Sequence, residues 1–192
     1  MKGYRLRRKY IVSLLALLIA ILGAYAQQQG WVDTAGQTAV INQPGLYTID
    51  HFVDGDTVAV QMGDTVETIR MIGIDTPETH RPNTPVQCYG PAAAAYTKSR
   101  IGSQRIRLVS DSQSTNRDRY NRLLRYVYLT DGTNLNQELV ARGYAFAYLS
   151  FPFTKSDDFA AAQQSAQDDS KGLWGNCNPK LESNGRWQSN AE

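Results

Sequence analysis

The chain has 192 residues, with 20 Lys and Arg against 18 Asp and Glu and a formal net charge of +2. That length suits one domain of ordinary size with a real core and leaves no room for two large ones. Apolar residues at 42% and charged residues at 20% exclude wholesale disorder, and the near-neutral total excludes a protein that coats nucleic acid by charge alone.

The charge is unevenly placed. Lys2, Arg5, Arg7, Arg8 and Lys9 open the chain with no acid among them. Ile11 to Ala24 follows as an apolar run broken by Ser13 and Gly23, and Ala24-Tyr25-Ala26 supplies a small-x-small exit before Gln27. A basic head, a short apolar middle and a small-residue exit describe a signal peptide over 1–26. A spanning helix wants roughly 20 apolar residues, so cleavage is favoured over an N-terminal anchor. Either way the remainder lies on the far side of the membrane, secreted or in the cell envelope, because the basic head stays inside. If the segment is cleaved, no stable membrane association is expected. Without 1–26 the chain keeps 15 basic and 18 acidic residues, a net charge of −3.

Cys88 and Cys177 are the two cysteines. In an exported chain an even count suggests a disulfide, and a bridge here would close a loop worth about 4–5 kcal/mol in the chain-entropy model. Two separate thiols or an intermolecular bond are the alternatives.

Residues 27–45 are rich in Gln, Gly, Thr and Asn and read as a linker. Thr48 to Val53 reads as a strand, Asp54-Gly55-Asp56 as a turn and Thr57 to Met62 as a second strand. Gly63-Asp64 turns the chain into a third strand, Val66 to Ile74, rich in β-branched residues. Thr79 to Gln87 is a loop with two prolines. Pro91 to Ile101 is alanine-rich with Pro in its first turn and Gly102 at its end, the pattern of a helix. Arg105 to Val109 and Leu123 to Leu129 read as strands, and Asp131-Gly132 as a turn. Asn134 to Arg142 reads as a helix stopped by Gly143. Ser156 to Ser170 is a third, with Ser156 as N-cap ahead of Asp157 and Asp158. Residues 178–192 are polar and aperiodic and read as a flexible tail, leaving 46–177 as the folded domain. Five strands and three interleaved helices make a mainly β, α+β chain: a five-stranded Greek-key barrel of OB type with three α-helices.

Three segments gather charge at turns and strand ends: Asp54-Gly55-Asp56-Thr57, Arg70 to Glu78, and Asp118-Arg119-Tyr120-Asn121-Arg122. Asp56 and Asp75 are oxygen donors on separate elements, and with a backbone carbonyl and waters they suit a hard cation such as Ca²⁺. Zn²⁺ would want His or Cys, and His51 and His80 have no partner at ligand spacing. They read as rim histidines. Arg70 and Arg122 are permanently charged forks suited to phosphate oxygens. Arg70 and Asp75 are an odd number apart, on opposite faces of an ideal strand, so a bulge or strand end is needed to bring them together. Glu78 can take a proton from water. Cation, arginines and carboxylate base together describe phosphodiester hydrolysis by activated water.

The three segments, with Tyr89-Gly90-Pro91-Ala92-Ala93 and Gly172-Leu173-Trp174, resemble the staphylococcal nuclease (thermonuclease) family in order and approximate spacing, over about Tyr47 to Cys177. The resemblance implies an OB barrel with three helices and cleavage of DNA and RNA to 3′-phosphate products. It implies Ca²⁺ held by Asp56, Asp75 and the Thr76 carbonyl. It makes Arg70 and Arg122 the catalytic arginines and Glu78 the general base, with Tyr120 and Tyr148 assigned to substrate. Asn121 stands where the family commonly has Gly, and Asn tolerates the left-handed turn better than most residues. The type enzyme has no cysteines, so a Cys88–Cys177 bridge is this chain's own feature.

Residues 81–142 hold ten basic side chains against four acidic ones, a +6 stretch where substrate phosphates can land. The alternative is a non-catalytic extracellular nucleic-acid-binding OB module, and a monomer is the default oligomeric state.

Overall fold

The computed structural model describes Leu17 and residues 45–80 and 84–191. The predicted signal peptide apart from Leu17, the linker apart from Gly45, and Arg81 lie outside the described residues. The chain divides into two units, Met1–Asn42 and Gln43–Glu192. Of the first, only Leu17 is described, helical and exposed. All that follows concerns the second.

Its strands are β1 (Leu46–Tyr47), β2 (Ile49–Asp54), β3 (Thr57–Met62), β4 (Thr65–Met71), β5 (Ile74–Asp75), β6 (Ile106–Val109), β7 (Leu123–Tyr128), β8 (Phe146–Ala147), β9 (Lys180–Leu181) and β10 (Trp187–Gln188). Its helices are α1 (Gly90–Ile101), α2 (Leu135–Ala141), α3 (Ser156–Asp168) and the short α4 (Leu173–Asn176). The main sheet runs β1-β6-β7-β4-β3-β2, and β5 pairs with β8 apart from it. This curled six-stranded sheet with three principal helices is the α+β, OB-type architecture that the strand and helix pattern predicts. The sixth strand, β1, is a two-residue addition beside β6.

Local chemistry explains the elements. β3 and β4 are β-branched strands joined through Gly63, whose φ of +61° suits the tight reversal. α1 carries Pro91 in its first turn and ends at Gly102. α2 is capped by the Asn134 side chain, which accepts from the Gln137 N–H. The cap predicted at Ser156 is displaced by one residue. The Lys155 carbonyl accepts the first helical bond from Phe159 N–H, so Ser156 lies inside the first turn with Asp157 and Asp158.

The core is formed by Val58, Val60, Ile69 and Met71 from the β3–β4 hairpin, Leu123 and Val127 from β7, and Leu135, Leu139 and Phe159 from the helices. Asn136 is buried among them. Its Oδ1 accepts from Val127 N–H and its Nδ2 donates to the Ile72 and Arg125 carbonyls. This side chain fastens α2 to the end of β4, where the charged residues of the candidate site begin.

Residues 178–191 do not fray. β9 and β10 form a hairpin, Trp187 meets Trp174 edge to face at 5.0 Å between ring centroids, and the Asn190 carbonyl accepts from Cys88 N–H. The anchor is invisible in a polar, aperiodic sequence because it consists of one indole and of hydrogen bonds to partners far away in sequence.

Candidate active site

The strand predicted as Val66 to Ile74 breaks in two. β4 ends at Met71, the chain turns through Ile72 and Gly73, and β5 resumes at Ile74. Gly73 has φ +74°, and a Cβ there would stand 2.6 Å from the Phe153 ring. Tyr148 N–H donates to the Gly73 carbonyl, which ties the turn to the β8 region. This break is the strand end that the odd Arg70–Asp75 spacing requires. Arg70 Nη1 donates to the Met71 and Ile74 carbonyls across the turn, while Nη2 reaches Asp75 Oδ1 at 2.9 Å and Asp56 Oδ2 at 3.1 Å.

Asp56 comes from the β2–β3 turn. Gly55 packs so closely on Thr76 and Ala93 that a Cβ would meet Thr76 at 2.9 Å, and its carbonyl accepts from the buried Thr97 hydroxyl. Asp56 is itself buried and accepts from the Thr57 hydroxyl and the Thr76 N–H. Two carboxylates, Asp56 and Asp75, thus converge on one guanidinium NH₂. Burial and the neighbouring Asp56 charge push the Asp75 carboxyl up, with Arg70 and Arg186 acting against them. Burial opposes the Arg70 charge, but Asp56, Asp75 and Asp118 together hold its pKa above the ordinary value.

Glu78 follows on the next loop. Its N–H donates to Gln87 Oε1 and its carbonyl accepts from Gln87 N–H, so the segment before Cys88 braces it from both sides. Its side chain faces Asp54, whose carboxyl is pushed up to about 6 by burial and by Asp56 and Glu78, against hydrogen bonds from Gly55 N–H and the Thr79 hydroxyl. Asp54 links Glu78 to the Asp56 side of the site. It sits in the first charged segment of the sequence, but nothing distinguishes it there from an ordinary turn aspartate.

Arg122 sits on a loop built around Asp118, whose charge acts on Arg70. Asp118 Oδ1 accepts from the Tyr120 and Arg122 N–H groups, and Oδ2 from Arg122 Nε at 2.7 Å. Burial would raise the Asp118 carboxyl, but the bonds from Arg122 hold it below the usual range. Asn121 takes φ +65°, the left-handed conformation that its type tolerates. Arg117 supports the loop through a two-pronged pair with Glu67 and a bond to the Asn121 carbonyl. Asp118 opens the third charged segment of the sequence, but nothing there marks it or Arg117 as the groups that hold the loop.

Tyr148 stands beside the cluster, with the Arg186 guanidinium 4.6 Å from its ring centroid. Tyr120 lies farther out, 65% exposed, flanked by the guanidiniums of Arg119 and Arg122. His51 pairs with the adjacent Asp50 and His80 contacts the Thr79 hydroxyl, as rim histidines do. Cys88 and Cys177 are joined in a disulfide.

Several cations of the +6 stretch are taken up by partners within the protein. Arg125 is buried and bonds to Asn116, while Arg100 and Arg142 both pair with Glu138. Within this stretch Arg119 is exposed and Arg122 partly exposed.

Among the described residues, no group of three or more His, Cys, Asp or Glu side chains forms a ready-made metal cage. The donor set still fits a hard cation. Asp56 and Asp75 supply oxygens that already meet at one positive group, and the nearby Thr76 hydroxyl is buried without a hydrogen-bond partner. Waters would complete such a shell.

The sequence matches the family model described as Staphylococcal nuclease homologue over residues 68–176. The chain belongs to the staphylococcal nuclease family. It is 36% identical over 168 residues to a protein named thermonuclease from Staphylococcus hyicus, covering 86% of this chain and 96% of that one. It is 40% identical over 168 residues to the thermonuclease of Staphylococcus intermedius, covering 87% and 98%. It is 36% identical to Endonuclease YncB of Bacillus subtilis over 77% of this chain and 68% of that protein. Within this family chain, Asp56 lies upstream of the matched residues and the C-terminal hairpin downstream of them.

Proposed function

We propose that this chain is an exported, Ca²⁺-dependent nuclease that hydrolyses DNA, RNA or both to 3′-phosphate products. The observation that carries the reading is the convergence of Asp56, Asp75 and Arg70 at one point, and the braced loops that carry Glu78 and Arg122 support it. Membership of a family whose relatives are named thermonuclease and endonuclease supports it.

Asp56, Asp75 and the Thr76 carbonyl would hold the ion, which supplies polarisation of the scissile phosphate and offsets its negative charge. Glu78 accepts the proton of a water whose oxygen attacks phosphorus. The bond from phosphorus to the 5′-oxygen breaks, the phosphate stays on the 3′ side, and the leaving 5′-oxygen is protonated to a hydroxyl. Arg70 and Arg122 hold the phosphoryl oxygens on which charge develops. Asp118 fixes Arg122 through both Nε and Nη2, which share its Oδ2 at 2.7 Å. Export follows from the basic-apolar-small pattern of residues 1–26.

The test is degradation of single-stranded and plasmid DNA and of RNA by the full chain. Arg122→Ala and Glu78→Ala should each lose roughly 10²–10⁴ in rate with the circular dichroism spectrum unchanged. Chelator should abolish activity, Ca²⁺ should restore it, and a phosphatase should remove 3′-phosphate from the products. Full activity in chelator overturns the metal assignment. Binding of oligonucleotide without cleavage under any divalent cation supports the non-catalytic module instead.

A further inference from the structure

The C-terminal hairpin places a third arginine in the site. Arg186 sits on the β10 side of the β9–β10 turn, outside the residues matched to the family. Its Nη2 lies 2.9 Å from Asp75 Oδ2, the carboxylate oxygen opposite the one that Arg70 holds. Its guanidinium lies over the Tyr148 ring, and its Nε is buried with no hydrogen-bond partner. The side chain is 39% exposed, so it is reachable from solvent at the open edge of the site.

The hairpin that carries it is firmly built in. Besides the Trp187–Trp174 contact, the Ser189 hydroxyl donates to the Cys88 carbonyl, Asn178 N–H donates to Asn190 Oδ1, and Gln87 bridges to Ala191. These attachments lie around the Cys88–Cys177 disulfide, on the same segment that braces Glu78. A partly exposed ion pair contributes little to stability, so the pair alone gives no reason to build a hairpin into this position. A planar cation held on an aromatic face beside Arg70 has the chemistry of a phosphate grip.

We propose that Arg186 is a substrate-binding residue. It takes the backbone phosphate next to the scissile one, so the C-terminal hairpin forms one wall of the nucleic-acid site. Asp75 and Tyr148 keep the guanidinium oriented until a strand arrives. The inference rests on the nuclease reading above.

The experiment compares the full chain with Arg186→Ala, Arg186→Lys and Arg122→Ala. Binding of a short fluorescein-labelled thymidine oligonucleotide is read by anisotropy in chelator, and kinetics are measured with Ca²⁺ on unlabelled single-stranded DNA. For Arg186→Ala, Kd and KM should rise about tenfold while kcat changes much less. The slope of log affinity against log salt should fall by about 0.7, one phosphate contact on a single strand. Arg186→Lys, which keeps a charge without the fork, should recover part of the affinity. Unchanged Kd, KM and salt slope in Arg186→Ala overturn the proposal, and so does tighter binding, which would make Arg186 a plug. If Arg122→Ala also leaves degradation unchanged, the nuclease reading itself fails, whereas a loss confined to Arg122→Ala refutes only the role of Arg186.

Discussion

Removing the disulfide by Cys88→Ala/Cys177→Ala should lower stability by an amount that the fold allows to be worked out. The bond joins residues 89 apart in sequence. For a loop of that length the chain-entropy model assigns about 4–5 kcal/mol to the constraint on the unfolded chain. Cys177 is also packed with Phe146 and Leu173, so losing its sulfur adds about 1 kcal/mol of lost burial. For a unit of this size the sum lowers the thermal midpoint by roughly 15–20 °C. Activity measured well below the midpoint should fall several-fold as well. Gln87, which holds both backbone groups of Glu78, is the neighbour of Cys88. Far-UV circular dichroism melts of the oxidised wild type, the reduced wild type and the double variant measure the first effect, and initial degradation rates the second. A midpoint that drops by less than about 3 °C, with the bond verified in the wild type by mass spectrometry, would refute the reasoning. The unfolded chain would then gain little freedom from losing the bridge.

Three further outcomes follow from the same structure. Asn121→Gly should be neutral or stabilise by up to about 1 kcal/mol, and Asn121→Val should cost about 1–2 kcal/mol, because the position holds φ +65°; urea unfolding measures both. Gly73→Ala should cost more than about 2 kcal/mol and reduce the degradation rate, because a Cβ collides with Phe153 in the turn that aligns Arg70 with Asp75. Asp111 supplies an acid-sensitive stability term. Burial would raise its carboxyl, but hydrogen bonds from Thr154, Tyr126 and Gln113 hold it below the usual 3.8. Its contribution is therefore present above the unfolded value and lost as pH falls through the lower folded value. In unfolding curves measured from neutral pH down to pH 3, Asp111→Asn should be the less stable protein at neutral pH, and the gap should narrow toward the acid end.

Much of the fold was legible because its long elements are locally determined. β-branched residues mark β3 and β4, an apolar and aromatic run marks β7, and Pro91, Gly102, Asn134 and Gly143 punctuate the helices. Short pairings were not legible. β1, β5 and β8 are two-residue strands whose partners lie far away in sequence, and periodicity has nothing to act on over that length.

The candidate site divides along the same line. Residue types at set spacings singled out Asp56, Arg70, Asp75, Glu78 and Arg122 before any coordinates, because paired carboxylates and arginine forks have few bland uses together. The sequence by itself also supplied the two cysteines and an asparagine able to stand in for glycine before Arg122. Only the tertiary structure decided how these groups meet. It broke the strand at Gly73 so that Arg70 and Asp75 share a face, set Asp118 to hold Arg122, and placed Asp54 between Glu78 and Asp56. It also folded back a tail that reads as flexible and set Arg186 on Asp75, across 111 residues. That contact depends on Trp187, the disulfide and backbone bonds at Cys88 acting together, and no local window of sequence contains all three.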